Sequence, residues 1–568
     1  MSVRMMYYVR TWFPILVLEP YKWKHMVQGP AQIGWLNLSE EGGNEMQKST
    51  WTRRWTVALA LASVVAVVAG CSKAPAPTTP APATPAPAPA AKAPLTQVVI
   101  AQAADAVTMD PQKQSDTNTG NIVHNIFDGL LLRDKDMSIQ PALATSYKQV
   151  SDTVWELTLR KDVKFHNGEE FNADAVKFTV DRLKDPAQKA AQATYYTLIK
   201  SVEVVGAETV RFTLSEPDPI FLARMSNLLI IPPKYIKEKG DENFAKNPIG
   251  TGPYKFVEWV KDDHVIVEAV TDHWRGKPAI PKVIWRPVPE MATRIAGLQG
   301  GQIDIIAAIP ADQVKTVEGT KGLKVVTTPS AQIQMLNFNI SVAPADKKEF
   351  RLAVAHAVNP KPILEALLGS YASPLDISMS SVIPGRPSGI TPLPYDPAKA
   401  KDYLAKAGLG SGVTIDLVSQ NGTYPLDKDI AQAIAQQLAA VGITANVKPT
   451  EYSQFLTLLK GKKISPVFLM GGNNIWFDID PQITAFFSGT GALSTYKNAE
   501  LDALIVKGRA SSNPAERVST YAKAFELIKS EGAGVPILQY QLLSATNDKV
   551  NWKPRPDGRI RILEIAAN

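Results

Sequence analysis

The stretch Asn-Pro-Ile-Gly-Thr-Gly-Pro-Tyr at residues 247–254 is the most informative turn in this chain of 568 residues. Two glycines and two prolines among eight residues predict a rigid turn and not the interior of a helix or a strand. Gly250 and Gly252 permit either a positive φ or the close approach of another backbone segment. Residues 255–260 and 265–270 then predict the two strands of a hairpin, joined by a polar turn.

Ordered motifs continue the pattern on both sides of this turn. Downstream lie Asp-His-Trp-Arg-Gly-Lys-Pro at 272–278, a predicted strand at 283–288, a predicted helix at 291–299 and Gly-Gly-Gln-Ile-Asp-Ile at 300–305. Upstream lie Leu-Ala-Thr-Ser-Tyr at 143–147, Trp-Glu-Leu-Thr-Leu-Arg at 155–160, Val-Lys-Phe-His-Asn-Gly at 163–168 and Phe-Asn-Ala-Asp-Ala-Val-Lys-Phe at 171–178. In this order the motifs resemble the family 5 extracytoplasmic solute-binding proteins of ABC importers, of the oligopeptide-, dipeptide- and nickel-binding type. The resemblance covers about residues 97–568.

The resemblance implies a two-lobe α/β fold of the cluster C type of periplasmic binding proteins, with an extra small domain and a ligand cleft between the lobes. It builds lobe I from three separate segments, at residues 97–139, 220–335 and 535–568, and it assigns 140–219 to small domain II and 336–534 to lobe III. Strands and helices alternate in our prediction between residues 413 and 459, which is typical of an α/β lobe. Asp396, Pro397 and Gly408 predict the N-cap, first residue and C-terminal stop of a helix. Residues 335–339 resemble the family's strand that crosses between lobes.

The implied function is that of the solute-binding component of an ABC importer, which captures a small solute and delivers it to the permease by hinge closure. Peptide is the default solute, and the alternatives on the same fold are a nickel chelate, an opine, glutathione or an oligosaccharide. A lipoprotein sensor and a hydrolase are the alternatives from other classes. We expect a monomer without a cofactor. The formal net charge of +7 comes without a basic run, so a nucleic-acid partner is not implied.

The N-terminal region predicts export and lipidation. Residues 46–70 have the pattern of a signal peptide, with basic residues before an apolar run that is too short for a comfortable membrane span. Val-Ala-Gly-Cys at 68–71 resembles a bacterial lipobox. Cys71 is the only cysteine, and we predict that it carries the lipid. The alternative is an ordinary signal peptide with a chance cysteine.

A linker and an unexplained extension flank this signal. Residues 71–96 are rich in alanine and proline, which favours an extended tether between the membrane and the folded region. Residues 1–45 match nothing downstream, and we interpret them as a non-native or mis-assigned extension before a start at Met46. The predicted location is extracytoplasmic and lipid-anchored, in the periplasm or at the outer face of the cytoplasmic membrane.

The sequence holds no pattern that indicates catalysis or a metal site. It contains no P-loop, no His-Glu-x-x-His and no Gly-x-Ser-x-Gly motif. Its six histidines lack metal-ligand spacing, and a single cysteine excludes a cysteine-rich metal site. His166 falls in the turn predicted at Asn167-Gly168, where we interpret it as a solvated or capping residue. We therefore expect neither enzyme activity nor a bound metal.

The loop at residues 470–481 is the strongest candidate for ligand contact. It places glycines, asparagines, a tryptophan and two aspartates between a predicted strand at 467–469 and a predicted helix at 482–487. Clefts hold small ligands with apolar walls and a few placed polar groups. We therefore predict ligand contacts from four residues of this loop: Asn473, Asn474, Trp476 and Asp478. The alternative for Trp476 is a role in the core.

A neighbouring position sets an expectation about peptides. We interpret Asp480 as the N-cap of the predicted helix, with Pro481 at its first position. In peptide-binding members of the family, an aspartate that anchors the ligand's α-ammonium group lies three residues before the aspartate of this Asp-Pro pair. Here that position is Phe477. A buried ammonium group without a counter-charge is unfavourable, so we expect free-amine di- and tripeptides to bind weakly unless Asp478 faces the cleft.

A second candidate segment loosely resembles the floor of the family's cleft. It contributes three predicted ligand-binding residues: Asp116, Asn118 and Thr119. Apolar residues at helical spacing follow, and they predict a helix over 120–132.

Overall fold

The computed structural model describes residues 95–511 and 513–568. The predicted extension, signal peptide and Cys71, and nearly all of the linker, lie outside these residues. Within the described ranges, no helix has the length and apolar character needed to cross a membrane.

The described residues form strands and helices throughout. The strands are β1 Val98–Gln102, β2 Leu131–Arg133, β3 Ile139–Pro141, β4 Ala144–Ser151, β5 Val154–Leu159, β6 Ile199–Gly206, β7 Thr209–Leu214, β8 Tyr254–Val260, β9 His264–Ala269, β10 Lys282–Pro287, β11 Ile305–Ile306, β12 Leu323–Phe338, β13 Ala372–Pro374, β14 Val413–Gln420, β15 Ile443–Thr450, β16 Val467–Asn473, β17 Gly534–Asn547, β18 Val550–Asn551 and β19 Ala566–Ala567. The α-helices are α1 Thr117–Ile126, α2 Ala173–Lys184, α3 Phe221–Met225, α4 Pro233–Lys239, α5 Asp241–Phe244, α6 Met291–Gln299, α7 Val314–Glu318, α8 Lys348–Ala357, α9 Pro360–Leu367, α10 Pro397–Lys406, α11 Asp427–Ala439, α12 Tyr452–Lys460, α13 Ile479–Phe487, α14 Ala499–Ala510 and α15 Pro514–Ser530. Short 3₁₀ helices lie at Pro186–Gln188, Ala191–Tyr196, Ala311–Gln313, Gly369–Tyr371 and Ile562–Glu564.

An 11-stranded mixed sheet carries most of the fold, in the order β15-β14-β16-β12-β17-β11-β1-β10-β9-β8 with β13 attached to β17. Strand β1 is parallel to β10 and β11, and β14 is parallel to β15 and β16. The long strands β12 and β17 pair from Leu323 opposite Asn547 to Asn337 opposite Gly534. These two strands therefore connect the half of the sheet that contains β1 to the half that contains β14.

The central strand β12 is buried on both faces where it enters the second half of the sheet. Leu336 and Phe338 pack into one apolar cluster, whereas Ile333 and Met335 pack into another on the opposite face. Successive side chains of a strand point to opposite faces, so an unbroken apolar run serves two cores at once.

A separate four-stranded antiparallel sheet, β4-β5-β7-β6, lies within the range predicted for small domain II. Strand β7 alternates strictly, with Val210, Phe212 and Leu214 buried and the residues between them half-buried. Helix α2 covers this face with Val176 and Val180, which belong to the same apolar cluster. The division into lobes I, II and III at the residues given above stays a prediction.

The turn at residues 247–254 packs directly on the C-terminal end of α1. A Cβ placed on Gly250 would lie 2.0 Å from the carbonyl oxygen of Ile126, and one on Gly252 would lie 2.5 Å from that of Asn125. The backbone NH of Gly252 donates to the Ile126 carbonyl at 2.8 Å. The glycines are therefore needed for close backbone approach; neither has a positive φ.

His166 joins the small sheet to this turn. Its ring Nε2 lies 2.9 Å from the carbonyl oxygen of Gly252, and its backbone NH donates to the Gly250 carbonyl at 2.9 Å. Burial lowers the pKa of His166 to about 4. The interpretation of this histidine as a solvated or capping turn residue was wrong, because the contact comes from a segment more than 80 residues away.

Buried charge also fixes the motif at 272–278. The Asp128 carboxylate accepts hydrogen bonds from Arg275 Nη2 at 2.6 Å and from Thr251 Oγ1 at 3.1 Å. His273 Nε2 lies 3.0 Å from the Thr251 carbonyl oxygen. This motif therefore fastens the turn and the end of α1 together, which is a structural role.

Several predicted elements are confirmed and one is corrected. Helix α6 occupies the predicted residues, and the side chain of Asp396 caps α10 by accepting from Lys399 N at 2.9 Å. The helix predicted at 120–132 instead spans Thr117–Ile126. It ends early because Phe127 is extended and because the turn's Gly252 takes the carbonyl of the last helical residue.

Candidate functional site

A cleft of about 330 Å³ lies where four segments of the chain meet. They are the start of α1, the loop after β16, residues 330–332 of β12, where its pairing with β17 shifts register, and the C-terminal segment at 556–561. Gln192 and Tyr195, from the short 3₁₀ helix Ala191–Tyr196, also line it. A larger cavity of about 840 Å³ shares His124, Arg133 and Arg561 with it.

Trp476 and Asn473 from the predicted loop line this cleft. The Trp476 ring meets the Tyr195 ring edge-on, with centroids 5.3 Å apart and planes at 85°. The Arg224 guanidinium lies 4.9 Å from the centroid of the Trp476 ring. Trp476 is half-buried and supplies an aromatic wall that is already held in place. Asn473 is the exposed last residue of β16.

Two other predicted residues of the loop support its shape instead of lining the cleft. Asn474 is buried, and its Nδ2 donates to the Asp478 carbonyl at 2.6 Å. The Asp478 carboxylate is held by Arg517 through contacts of 3.0 and 2.5 Å, and it lines a different cavity. Ligand contact by Asn474 and Asp478 stays a prediction, and in this structure both are occupied by partners within the protein.

The predicted cap of the following helix was wrong by two residues. Helix α13 begins at Ile479, and its N-cap is Asp478, which accepts from Asp480 N at 2.9 Å. Asp480 is buried and accepts instead from Tyr521 at 2.8 Å and from Arg509 at 3.2 Å. These partners lie on α14 and α15, so the local Asp-Pro pattern did not reveal them.

Phe477 occupies the position at which the resemblance places an aspartate in the peptide-binding members of the family. Its side chain is buried, its φ is +48°, and the Arg133 guanidinium lies 5.5 Å from its ring centroid. The left-handed backbone redirects the loop between Trp476 and Asp478. The loop therefore offers the cleft an aromatic surface and no free carboxylate, and Arg133 of β2 adds a cation beside it.

Of the three ligand-binding residues predicted at the start of α1, one lines the cleft and two do not. Asp116 lines the cleft; its Oδ1 caps α1 by accepting from Thr119 N at 2.8 Å, and its buried Oδ2 has no hydrogen-bond partner among the described residues. Asn118 lines a neighbouring cavity of about 410 Å³. Thr119 is fully buried and its Oγ1 accepts from Val107 N at 3.0 Å. The structure thus brings Asp116 together with Trp476 and Asn473, and it places Asn118 and Thr119 outside the cleft.

The sequence reasoning missed a group of basic residues in the cleft. Arg133, Arg559, Arg561 and His124 all line it, and Arg555 lies beside them. Burial lowers the pKa of Arg133 to about 10 and that of Arg561 to about 9. Burial, followed by the charges of the C-terminal arginines, lowers the pKa of His124 well below its usual value, so this ring is neutral.

A signal for this group exists in the sequence. In Arg-Pro-Asp-Gly-Arg-Ile-Arg at 555–561, every second residue is charged. In extended chain such residues point the same way, which gathers their charges on one side. Nothing local, however, says whether that side faces solvent or a cleft.

The arrangement is suited to binding a small polar solute. The described residues hold no group of three or more histidine, cysteine, aspartate or glutamate side chains that could coordinate a metal. The cleft combines an aromatic wall, a carboxylate and several guanidinium groups, which is the composition of a recognition site.

Comparison with known proteins places this geometry in a family. The model of the bacterial extracellular solute-binding proteins, family 5 Middle, matches residues 138–494. The glutathione-binding protein GsiB of Shigella dysenteriae serotype 1 (strain Sd197) is 30% identical over 462 residues, covering 78% of this chain and 89% of GsiB.

Solved structures agree. HbpA2 from Haemophilus parasuis has a TM-score of 0.78 at 22% identity, over 83% of this chain and 100% of HbpA2. The ABC transporter-associated periplasmic binding protein DppA from Helicobacter pylori, solved in complex with the peptide STSA, has a TM-score of 0.63 at 26% identity, over 83% of this chain and 98% of DppA.

These matches confirm the predicted two-lobe α/β fold, and they confirm the resemblance from which it was inferred. The family model covers more than half of the chain. This chain therefore belongs to the bacterial extracellular solute-binding proteins of family 5, and it is the solute-binding component of an ABC transporter.

Proposed function

We propose that this protein captures a small peptide-like solute outside the cytoplasmic membrane and delivers it, unmodified, to an ABC permease. The observation that carries the proposal is the cleft itself, a space of about 330 Å³ that Trp476, Tyr195, Asp116 and Arg559 line together. Sites for small molecules have volumes of about 300–1,000 Å³ and combine aromatic walls with a few charged groups. A peptide offers both apolar surface for the rings and charged ends for the polar groups.

The named relatives support the same class of solute. GsiB is a glutathione-binding protein, and DppA was solved with a peptide. Glutathione and short peptides are therefore the first solutes to test. Phe477 and the Asp478–Arg517 pair leave the Trp476 loop without a free carboxylate, so the proposal does not rely on that loop to bind an ammonium group.

The proposal extends to how the protein works in the cell. It acts as a monomer tethered by lipid at Cys71, with residues 71–96 as the tether. The two lobes close around the bound solute, and the permease recognises this closed form. A lipid on Cys71 predicts that Cys71→Ser releases the protein from membranes.

Titration calorimetry tests the proposal. Wild type should bind glutathione or a short peptide, and Trp476→Ala should weaken that binding about tenfold or more through lost stacking and packing. Tyr452→Ala is the matched control, because Tyr452 is an exposed aromatic residue of α12 that lies outside the cleft. Absence of binding to all of these solutes, or equal losses in both variants, would refute the proposal. Recovery of a cleaved solute would assign the protein to the hydrolases instead.

A further inference from the structure

Three arginines of the cleft have no acidic partner among the described residues. Arg133, Arg559 and Arg561 form no ion pair with any carboxylate within 4.0 Å in residues 95–511 and 513–568. Arg133 donates only to the carbonyl oxygens of Met137 and Trp476, and Arg561 donates only to the carbonyl of His124. Arg133 is 8% exposed, and its Nε has no partner among these residues.

Arg559 sits against bare backbone. A Cβ on Gly120 of α1 would lie 1.6 Å from Arg559 Nη1, so the glycine leaves the space that the guanidinium fills. Nη1 is buried and has no hydrogen-bond partner in the described ranges of the chain. The fold therefore makes room for this guanidinium. The charges of Asp557 and Asp116 stabilise it at longer range, but no carboxylate of the described residues lies within 4.0 Å of it.

The nearby carboxylates are already engaged. Asp557 and Glu564 both pair with Arg555, at 3.0 and 2.5 Å. Asp478 pairs with Arg517. Asp116 is the acid that lines the cleft without a cation within 4.0 Å among the described residues, and its Oδ2 is the buried orphan oxygen.

This imbalance is unfavourable for the empty protein. A charged group that is shielded from water and lacks a close partner is unfavourable for folding. The lowered pKa values of Arg133 and Arg561 have the same origin, and both groups remain protonated at neutral pH. Guanidinium groups match the planar fork of a carboxylate, so a carboxylate-bearing ligand would satisfy them.

We propose that Arg133, Arg559 and Arg561 form an anion subsite that selects solutes of net negative charge, with at least two carboxylates for one ammonium group. The ammonium group binds Asp116 and the carboxylates bind the arginines. The assignment rests on the proposed function for the location of the solute, and it narrows the solute to acidic peptide-like molecules. A neutral zwitterionic dipeptide would leave a guanidinium unsatisfied and would bind more weakly.

A simple dianion tests the subsite without any peptide. Thermal unfolding is followed with millimolar glutarate, with its neutral analogue glutaramide, and with inorganic phosphate, all at equal ionic strength. We expect glutarate to raise the Tm of the wild type by a few degrees and glutaramide to leave it unchanged. Arg559→Gln and Arg561→Gln should abolish the rise, whereas the control Arg286→Gln, an exposed arginine of β10, should keep it.

A glutarate effect that is absent, that survives both cleft substitutions, or that phosphate reproduces in full would overturn the carboxylate subsite. Circular dichroism tests whether each variant is folded. If one of the two cleft variants does not fold, the other still tests the subsite.

A second arm separates this inference from the function on which it rests. Calorimetry compares glutathione with its C-terminal amide, which lacks one carboxylate. We expect the wild type to prefer the acid by about tenfold or more, as for one charge-assisted contact, and Arg559→Gln to lose that preference. Equal binding of acid and amide would refute the subsite and leave solute capture intact. Binding of glutarate but of no peptide would refute the peptide class and leave the subsite intact.

Discussion

Two arginines four residues apart should respond in opposite ways to loss of charge. Arg555 is 2% exposed and pairs with Asp557 and Glu564, and its Nη2 also donates to the carbonyl oxygen of Asp134 at 3.0 Å. Arg555→Met would leave half-buried Asp557 without its closest cation, which costs about 3–5 kcal/mol. Arg559→Met removes a cation that has no acidic partner in the described residues and keeps the apolar stem, so we expect stability to rise by about 1–2 kcal/mol.

Equilibrium urea unfolding followed by tryptophan fluorescence measures this difference. Each protein is first unfolded, freed of bound solute and refolded in chloride buffer, since a retained anion would stabilise the wild type alone. The midpoint should fall for Arg555→Met and stay level or rise for Arg559→Met. Unchanged slopes are required, because a chain with several domains need not unfold in one step. If Arg559→Met loses as much stability as Arg555→Met, Arg559 is a paired structural residue and the uncompensated-charge argument fails.

Three further perturbations follow from the fold and the Trp476 loop. Gly250→Ala places a Cβ 2.0 Å from a backbone oxygen and should lower the free energy of unfolding in urea by about 3 kcal/mol or more. The control Gly206→Ala has open space and no positive φ, so it should change stability by less than about 1 kcal/mol. Similar losses in both variants would refute the close backbone approach. Asp478→Asn keeps a good N-cap but breaks the half-buried pair with Arg517, so it should lower the free energy of unfolding by about 1–3 kcal/mol. Calorimetry should find unchanged solute affinity. A tenfold loss of affinity would instead place Asp478 in contact with the solute. The pKa of His166 is lowered to about 4, so below about pH 6.5 the unfolded chain binds a proton that the folded protein does not bind. The free energy of unfolding should therefore fall by up to roughly 3 kcal/mol between pH 6.5 and 4, and His166→Gln should reduce that fall. An identical pH profile in the variant would contradict the assignment.

Local chemistry explains what could be predicted about the fold. Asp396 caps α10 and Pro397 has a fixed φ that suits the first helical residue, so a few adjacent residues predict where the helix begins. The same holds for Gly168, whose φ of 86° makes the turn before α2. The end of α1 was mispredicted because it depends on Gly252, more than 120 residues away in sequence.

The candidate site was harder to predict for the same reason. Trp476 was found because an aromatic residue stands out in a loop of glycines and asparagines, and Asp116 was found through the resemblance of its segment to the floor of the family's cleft. Asp478 looked free in the sequence, since its partner Arg517 arrives from a helix 39 residues later. Arg559 was not predicted to lie in the cleft, because only tertiary structure shows that its segment returns to cover Gly120.

The interruption in the pairing of β12 with β17 marks the place where side chains take over the hydrogen bonding between these two strands. Their ladder is regular from Leu323 to Pro329 and resumes at Ile333, with a bulge between. Across this gap Ser330 Oγ donates to the Tyr540 carbonyl at 2.8 Å, and Gln539 Nε2 donates to the Ser330 carbonyl at 3.1 Å, so the two strands stay joined. Ser330 and Gln332 at this gap also line the cleft. A solute bound in the cleft would therefore lie against the seam that joins the two halves of the sheet.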